Sequence, residues 1–304
     1  DKIEFELAPT CFSFDFDHKV FSIMGKSEGK LILKNLKSKF LKMFLQNISK
    51  KSKGSVEYNL KKIEFLKKLQ NTDKYKVDGN LSNLNLIINQ TIKYGIIPFS
   101  ILARHGFIAK TNLLSLVNNG VINLSELGKF EKSISTITSE FLNDQNNLNN
   151  LNNYKTFIKK YGHLRAGTYD INSKCYSELN KNTFSQNKNN KKIKVNNKKF
   201  KFSKKQLHQI NVLLKKNNIN ISNDKLFEYF KKSISSREYS KFIFTKSVNI
   251  ILQNIKVFAK KNKISVDDIE QIDIQDILKF KKKNYKTFLK KIKKNKKINK
   301  INRL

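Results

Sequence analysis

The sequence predicts a mainly helical protein, a bundle-like α domain preceded by a short N-terminal β-hairpin. Three observations predict it. All ten glycines lie at or before Gly167, prolines occur only at Pro9 and Pro98, and apolar residues recur at helical spacing through most of the chain. Long stretches free of both helix breakers, with a 3.6-residue apolar period, argue for helices.

The elements follow in order. Residues 1–17 alternate with period two, as Ile3, Phe5 and Leu7 and then Phe12, Phe14 and Phe16, with Pro9-Thr10 as the turn. That pattern reads as two short strands, which must pack on something else because an isolated hairpin is marginal. Glu4, Glu6, Asp15 and Asp17 fall on the opposite face, either solvated or forming a site wall opposite Arg or Mg2+. Residues 30–76 read as Lys-rich amphipathic helices, with Leu31, Leu33, Leu36, Phe40 and Phe44 and then Ile63, Leu66 and Leu69 as apolar positions. Three helical segments fill 80–145. The middle one starts at Pro98, a favoured first helical residue, and stops at Gly120, a favoured cap. The third carries the seam Leu127, Phe130, Ile134, Ile137 and Phe141, which is read as core. Asn-rich residues 143–153 and Lys/Asn-rich residues 180–201 bracket a polar segment at 160–176. Helices resume at Ser203, with Leu207, Ile210, Leu213 and Leu214 on one face, then Leu226, Phe227 and Phe230. Ser265 with Asp268 resembles a capping box. The expected organisation is an N-terminal region 1–179, a linker 180–201, a C-terminal helical region 202–278 of the same domain, and a basic tail 279–304.

Composition removes several classes. Of 304 residues, 38% are apolar and 11% aromatic, too much for a disordered chain. No run approaches the roughly 18 apolar residues of a membrane span, so none is expected. Two cysteines, Cys11 and Cys175, cannot build a disulfide framework or a four-cysteine zinc site, and a reduced, cytoplasmic compartment is expected. The first residue is Asp1 with no signal-peptide pattern after it, so the segment is expected to begin inside a longer reading frame or after processing.

Lys plus Arg is 62 against 24 Asp plus Glu, a formal charge of +38. Arg104, Arg165, Arg237 and Arg303 are the only arginines, so 58 of the 62 are lysines. Lys, Asn, Ile and Phe enriched together look like a genome-wide bias with lysine as the generic surface residue, and a nucleic-acid partner is not expected. Weak association of the tail with any polyanion is. Where lysine is the default cation, each arginine is a candidate for what lysine cannot do, a planar bidentate grip on carboxylate or phosphate.

Three compact segments hold three of the four arginines. In Ala103-Arg104-His105-Gly106-Phe107 a glycine sits inside a helix at a cost of roughly 1 kcal/mol, which suggests close approach by a ligand or another backbone. Tyr161–Asp170 packs two glycines, two tyrosines, His163, Arg165 and Asp170 into ten residues, suited to grasping an anionic or polyhydroxylated ligand. Arg237 and Lys241 lie four apart on one helix face. Each has a plainer alternative: Arg237 pairing with Glu238, or His105 as a hydrogen-bonded core histidine. No P-loop, no dinucleotide fingerprint and no metal-type His/Cys cluster is present.

The strings Phe99–Ala109, Tyr161–Ile171 and Arg237–Lys246 resemble the middle region of phosphoenolpyruvate-synthase-like phosphotransferases, in the bacterial subgroup that includes the glutamine kinases. Glu4-Phe-Glu-Leu and Phe14-Asp-Phe-Asp fit the same region, so the resemblance covers roughly residues 1–278. Ala166 stands where that family usually has proline. The resemblance implies the acceptor-binding and linker part of an ATP-dependent phosphohistidine-relay enzyme, converting ATP to AMP plus phosphate. ATP and Mg2+ would serve the intact enzyme, bound by an ATP-grasp domain. A separate domain would carry the phosphorylated histidine, since His18, His105, His163 and His208 all have the wrong neighbours. The implied roles are a clamp on a small carboxylated or polar acceptor for Arg104, Arg165, Arg237 and Lys241, acid/base or orienting work for His105 and His163, and hydrogen bonding for Tyr169 and Asp170. The alternative is a stand-alone helical binder of polyanions or RNA acting through its lysines.

Overall fold

A computed structural model describes residues 11–49, 52–148, 150–180, 183–184 and 200–301. The chain is mainly helical, as the periodicity predicts, with no strand among the described residues. The helices are α1 (Phe16–Ile32), α2 (Ser38–Ile48), α3 (Val56–Leu69), α4 (Leu81–Thr91), α5 (Ile97–Asn118), α6 (Leu124–Lys132), α7 (Ile137–Asn146), α8 (Leu151–Tyr161), α9 (Lys204–Lys216), α10 (Asn223–Lys261), α11 (Val266–Ile269), α12 (Ile274–Leu278) and α13 (Tyr285–Ile301).

They divide between two compact units, each assembled from three stretches of sequence. Unit 1 takes Asp1–Lys62, Pro98–Asn143 and Ile193–Ser240; unit 2 takes Ile63–Ile97, Asp144–Lys192 and Lys241–Leu304. The long α10 therefore contributes its first half to unit 1 and its second half to unit 2.

The N-terminal hairpin is a correction. Ile3–Leu7, with Glu4 and Glu6, lies outside the described residues, while Phe12–Phe16 forms an extended turn that enters α1. Its backbone is satisfied by side chains of α5: Asn112 Nδ2 donates to Phe12 O at 2.9 Å, and Phe14 N donates to Ser115 Oγ at 3.2 Å. The alternation does not sort one wet face from one dry face, because Ser13 and Asp15 are buried along with the phenylalanines. Asp15 accepts from Ser13 Oγ and Asn118 Nδ2, both at 2.7 Å, and Lys19 lies 3.3 Å away. Burial opposes its charge, but these donors prevail and hold its carboxyl below the usual range. Asp17 pairs with Lys37 at 2.7 Å.

Two further boundaries differ from the periodicity. The helix expected to begin at Pro98 is continuous from Leu81, joined through a π-turn at Ile92–Ile96. Proline lacks a donor and crowds the carbonyl four residues back, and the wider turn just before it relieves both problems. The seam at 127–141 breaks between α6 and α7, where Ser139 Oγ accepts from Thr136 N at 2.9 Å and Thr136 Oγ1 accepts from Ser139 N at 3.3 Å. Gly120 is the expected left-handed cap, at φ +68°, with Val121 N reaching back to Leu116 O at 2.9 Å. By length and composition, Leu81–Asn118 is long and apolar enough to cross a membrane, a test that core helices of soluble proteins also pass.

In unit 1, Phe44 packs tilted against Phe12 at 5.4 Å and edge-on against Tyr229 at 5.8 Å between ring centroids, and Phe202 stacks on Phe227 at 4.1 Å. In unit 2, Leu84, Ile171, Phe258, Ile269, Ile277, Phe288 and Ile292 share one core. The expected basic tail is part of it, since α13 packs through Phe288 and Ile292.

Candidate functional site

Four consecutive residues of α5 fan around the helix at about 100° per step, so Arg104 and Phe107 face outward while His105 and Gly106 are buried. His105 Nε2 lies 2.7 Å from Gly54 O, and its Nδ1 lies 3.0 Å from the Tyr229 hydroxyl. A carbonyl only accepts, so Nε2 carries the proton and Nδ1 accepts from Tyr229. Burial pushes the imidazole pKa down, against the pull of the Gly54 carbonyl, and keeps the ring neutral at pH 7. His105 therefore ties α5 to the Gly54 turn and to α10.

Gly106 is where α10 crosses. A β-carbon there would sit 3.0 Å from Arg237 Cδ and 3.3 Å from Arg237 Cβ. The close approach expected from Gly106 is thus made by the stem of Arg237, whose guanidinium lies 4.7 Å from the Phe107 ring centroid. Cation–π contact holds that planar group at the surface, and among the described residues no carboxylate forms an ion pair with it. Arg104, three residues before Phe107, presents a second guanidinium on the same side of α5.

The second device, in unit 2, is the loop after α8. Gly162 closes the helix, and a β-carbon on it would strike the Ile158 carbonyl. The loop base is pinned by Tyr176 N to Leu164 O at 2.8 Å and Ser177 N to Gly162 O at 3.0 Å. Arg165, 8% exposed, fills the interior. Its Nη1 donates to Asp170 O at 3.1 Å and Ser173 O at 2.9 Å, and its Nη2 donates to Asn249 Oδ1 of α10. This guanidinium grips its own loop. Gly167 allows the tight return, because a β-carbon would lie 2.8 Å from Asp170 Cβ, and Ile171 plugs the loop into the core. What the loop displays is Tyr169, 68% exposed, and the Asp170 carboxylate, which also accepts from Asn172 N at 2.8 Å.

His163 Nε2 donates to Phe242 O at 3.1 Å, and its ring packs edge-on to Phe242 at 4.7 Å. Burial depresses its pKa to about 4, against the pull of the Phe242 carbonyl and with help from Lys246, so it too is neutral at pH 7. Lys241, just before Phe242, is exposed. Glu178 buttresses the loop: Oε2 accepts from Cys175 N at 2.7 Å, and Oε1 accepts from Gln253 Nε2 at 3.2 Å and faces Lys256 at 3.7 Å. Burial opposes that charge, yet these donors hold the carboxyl at about 2.

The eight expected site residues thus divide between the units: Arg104, His105 and Arg237 in unit 1, and His163, Arg165, Tyr169, Asp170 and Lys241 in unit 2. Sequence reasoning missed the partners that position them, namely Gly54, Tyr229 and Asn249, which carry no local pattern. It also missed a cleft in unit 1 of about 620 Å3 beside Tyr229, lined by Leu45, Val56, Ile221, Glu57, Glu228 and Lys232 among others. Among the described residues no group of three His, Cys, Asp or Glu side chains is placed to hold a metal ion. No protein-family model, no curated protein and no solved structure matches this chain.

Proposed function

We propose that this chain is the acceptor-binding and linker portion of an ATP-dependent phosphohistidine-relay phosphotransferase, acting on a small carboxylated or polar acceptor. The observation that carries this reading is the Arg237 guanidinium, held on Phe107 over Gly106, in a chain where 58 of 62 basic residues are lysine. A planar donor fork held in one orientation suits a carboxylate or phosphoryl group, and Arg104 adds a second. In unit 2, Tyr169 and Asp170 offer an exposed hydroxyl and carboxylate on a loop that Arg165 makes rigid, and Lys241 adds a point charge.

Two roles take a different form from those the resemblance implies. Arg165 becomes a positioning residue, since its Nη donors are spent on its own loop and on Asn249. His105 and His163 are buried or partly buried and hydrogen-bonded to backbone carbonyls, so they shape the two devices rather than move protons. ATP, Mg2+ and the phosphohistidine belong to domains in cis or in trans. Those domains supply the phosphoryl group, while this chain binds and orients the acceptor.

The test is AMP release from ATP by the intact enzyme in the presence of a panel of carboxylated acceptors. Arg237→Ala and Arg104→Ala are each expected to lower kcat/KM by about 2–4 kcal/mol of transition-state stabilisation. Full activity in both variants refutes the assignment.

A further inference from the structure

The lysines of the C-terminal helix are not distributed as a compositional bias would leave them. From Lys279 to Lys297, 11 of 19 residues are lysine, against 58 of 304 in the whole chain, and no acid occurs from 279 to 304. All eleven are exposed. At about 100° per residue, Lys286, Lys290, Lys293 and Lys297 fall within about 60° of one another on α13, with Lys294 at the edge of the same stripe. Phe288 and Ile292, which dock the helix in its core, lie on the far side. The flanking lysines are used differently: Lys291 pairs with Asp276 at 2.6 Å and Lys296 with Asp268 at 2.8 Å. Acids of α11 and α12 therefore neutralise the sides of the helix, while among the described residues no ion pair reaches the stripe itself. The result is a straight row of cations about 16 Å long at 1.5 Å per residue, mounted on a packed helix.

From this geometry we infer that the outer face of α13 docks on the phosphate backbone of duplex nucleic acid, without regard to base sequence. Composition alone does not lead there; the segregation of paired from unpaired lysines around one helix does. A lipid surface is less well matched. A helix that lies in a bilayer interface needs an apolar face to insert, and here that face is spent on the core. Ile298, an exposed apolar residue of the helix, lies about a quarter-turn from the stripe. Single strands are less well matched too, since the stripe has no aromatic or arginine on which bases stack. Lysine-only contacts engage phosphates by counterion release.

The salt dependence is the signature. Five phosphate contacts give a slope of about −4.5 in log K against log[salt], or about 500-fold weaker binding between 50 and 200 mM. The experiment is fluorescence anisotropy of a labelled 20-base-pair DNA of arbitrary sequence titrated with the whole chain. Replacing Lys286, Lys290, Lys293 and Lys297 by Gln is expected to flatten the slope by about 3.6. Replacing the same four by Arg keeps it, which separates lost charge from lost folding. Replacing Lys204, Lys205, Lys215 and Lys216 of α9 by Gln leaves it unchanged. Equal effects of the α9 and α13 sets would mean diffuse attraction to a chain of charge +38 and overturn the inference. So would absent DNA binding, or binding confined to vesicles containing phosphatidylserine.

Discussion

Replacing Arg165 by lysine isolates what the guanidinium does in unit 2. Lysine keeps the charge but supplies one ammonium where arginine supplies a planar fork. Three acceptors depend on that fork: Asp170 O, Ser173 O and Asn249 Oδ1. A hydrogen bond from a charged donor is worth about 1.5–3 kcal/mol. Lysine can serve one acceptor and abandons two, one of which, at the exposed Asp170, is readily taken up by water. The expected loss is therefore about 2–4 kcal/mol, large beside a typical domain stability of about 5–15 kcal/mol. Asn249→Ala removes a single acceptor and should cost about 1–3 kcal/mol. Combined with Arg165→Lys it should add little, because both act on one network. Urea denaturation gives the global values. Amide hydrogen exchange at Gly167 and Tyr176, whose N–H groups close the loop at 3.1 and 2.8 Å, gives the local one. Protection there should fall about 30- to 1,000-fold, which is 2–4 kcal/mol. A stability change within 0.5 kcal/mol and unaltered exchange would refute the positioning role.

Other expectations follow from the same contacts. His163 has a folded pKa of about 4 against an ordinary 6.5, so the unfolded chain binds more protons between those values. Its contribution is complete above pH 6.5 and is lost as pH falls through 4. A His163→Asn variant should flatten the stability profile in that window, and an unchanged profile would contradict the assignment. Glu178→Gln should act lower, between pH 4.5 and about 2, measured by the same pH series. His105→Phe strands the Gly54 carbonyl and the Tyr229 hydroxyl and should cost about 2–4 kcal/mol in urea denaturation. Gly79→Ala places a side chain at φ +69° with a β-carbon 2.9 Å from Phe258 N. The strained conformation alone costs about 1–2 kcal/mol, so a neutral thermal melt would count against the observed backbone.

Much of the helical architecture is written in the sequence because its signals are local. Ser203 with Gln206 caps α9 as an N-terminal capping box, Ser265 caps α11, and Gly120 ends α5. The strand at Phe12–Phe16 was misread because its burial is set by Asn112 and Ser115, a hundred residues away. Period-two alternation cannot distinguish a half-wet strand from a turn buried on every side. At the candidate site, the scarcity of arginine against a lysine background singled out Arg165 and Arg237, both of which occupy positions lysine would not fill equally. Their division of labour was not legible. Arg165 turns inward because Asn249 meets it there, while Arg237 stays outward because Gly106 leaves room for its stem. Those partners lie 84 and 131 residues away.

The reading frame on either side of this segment tests the functional account most directly. An ATP-grasp domain upstream and a domain with a Gly-rich stretch running into a Ser/Thr-His pair downstream are the predicted result, in frame or as separately encoded partners. A frame confined to Asp1–Leu304, with neither domain encoded beside it and no AMP release from any mixture containing the chain, would contradict it.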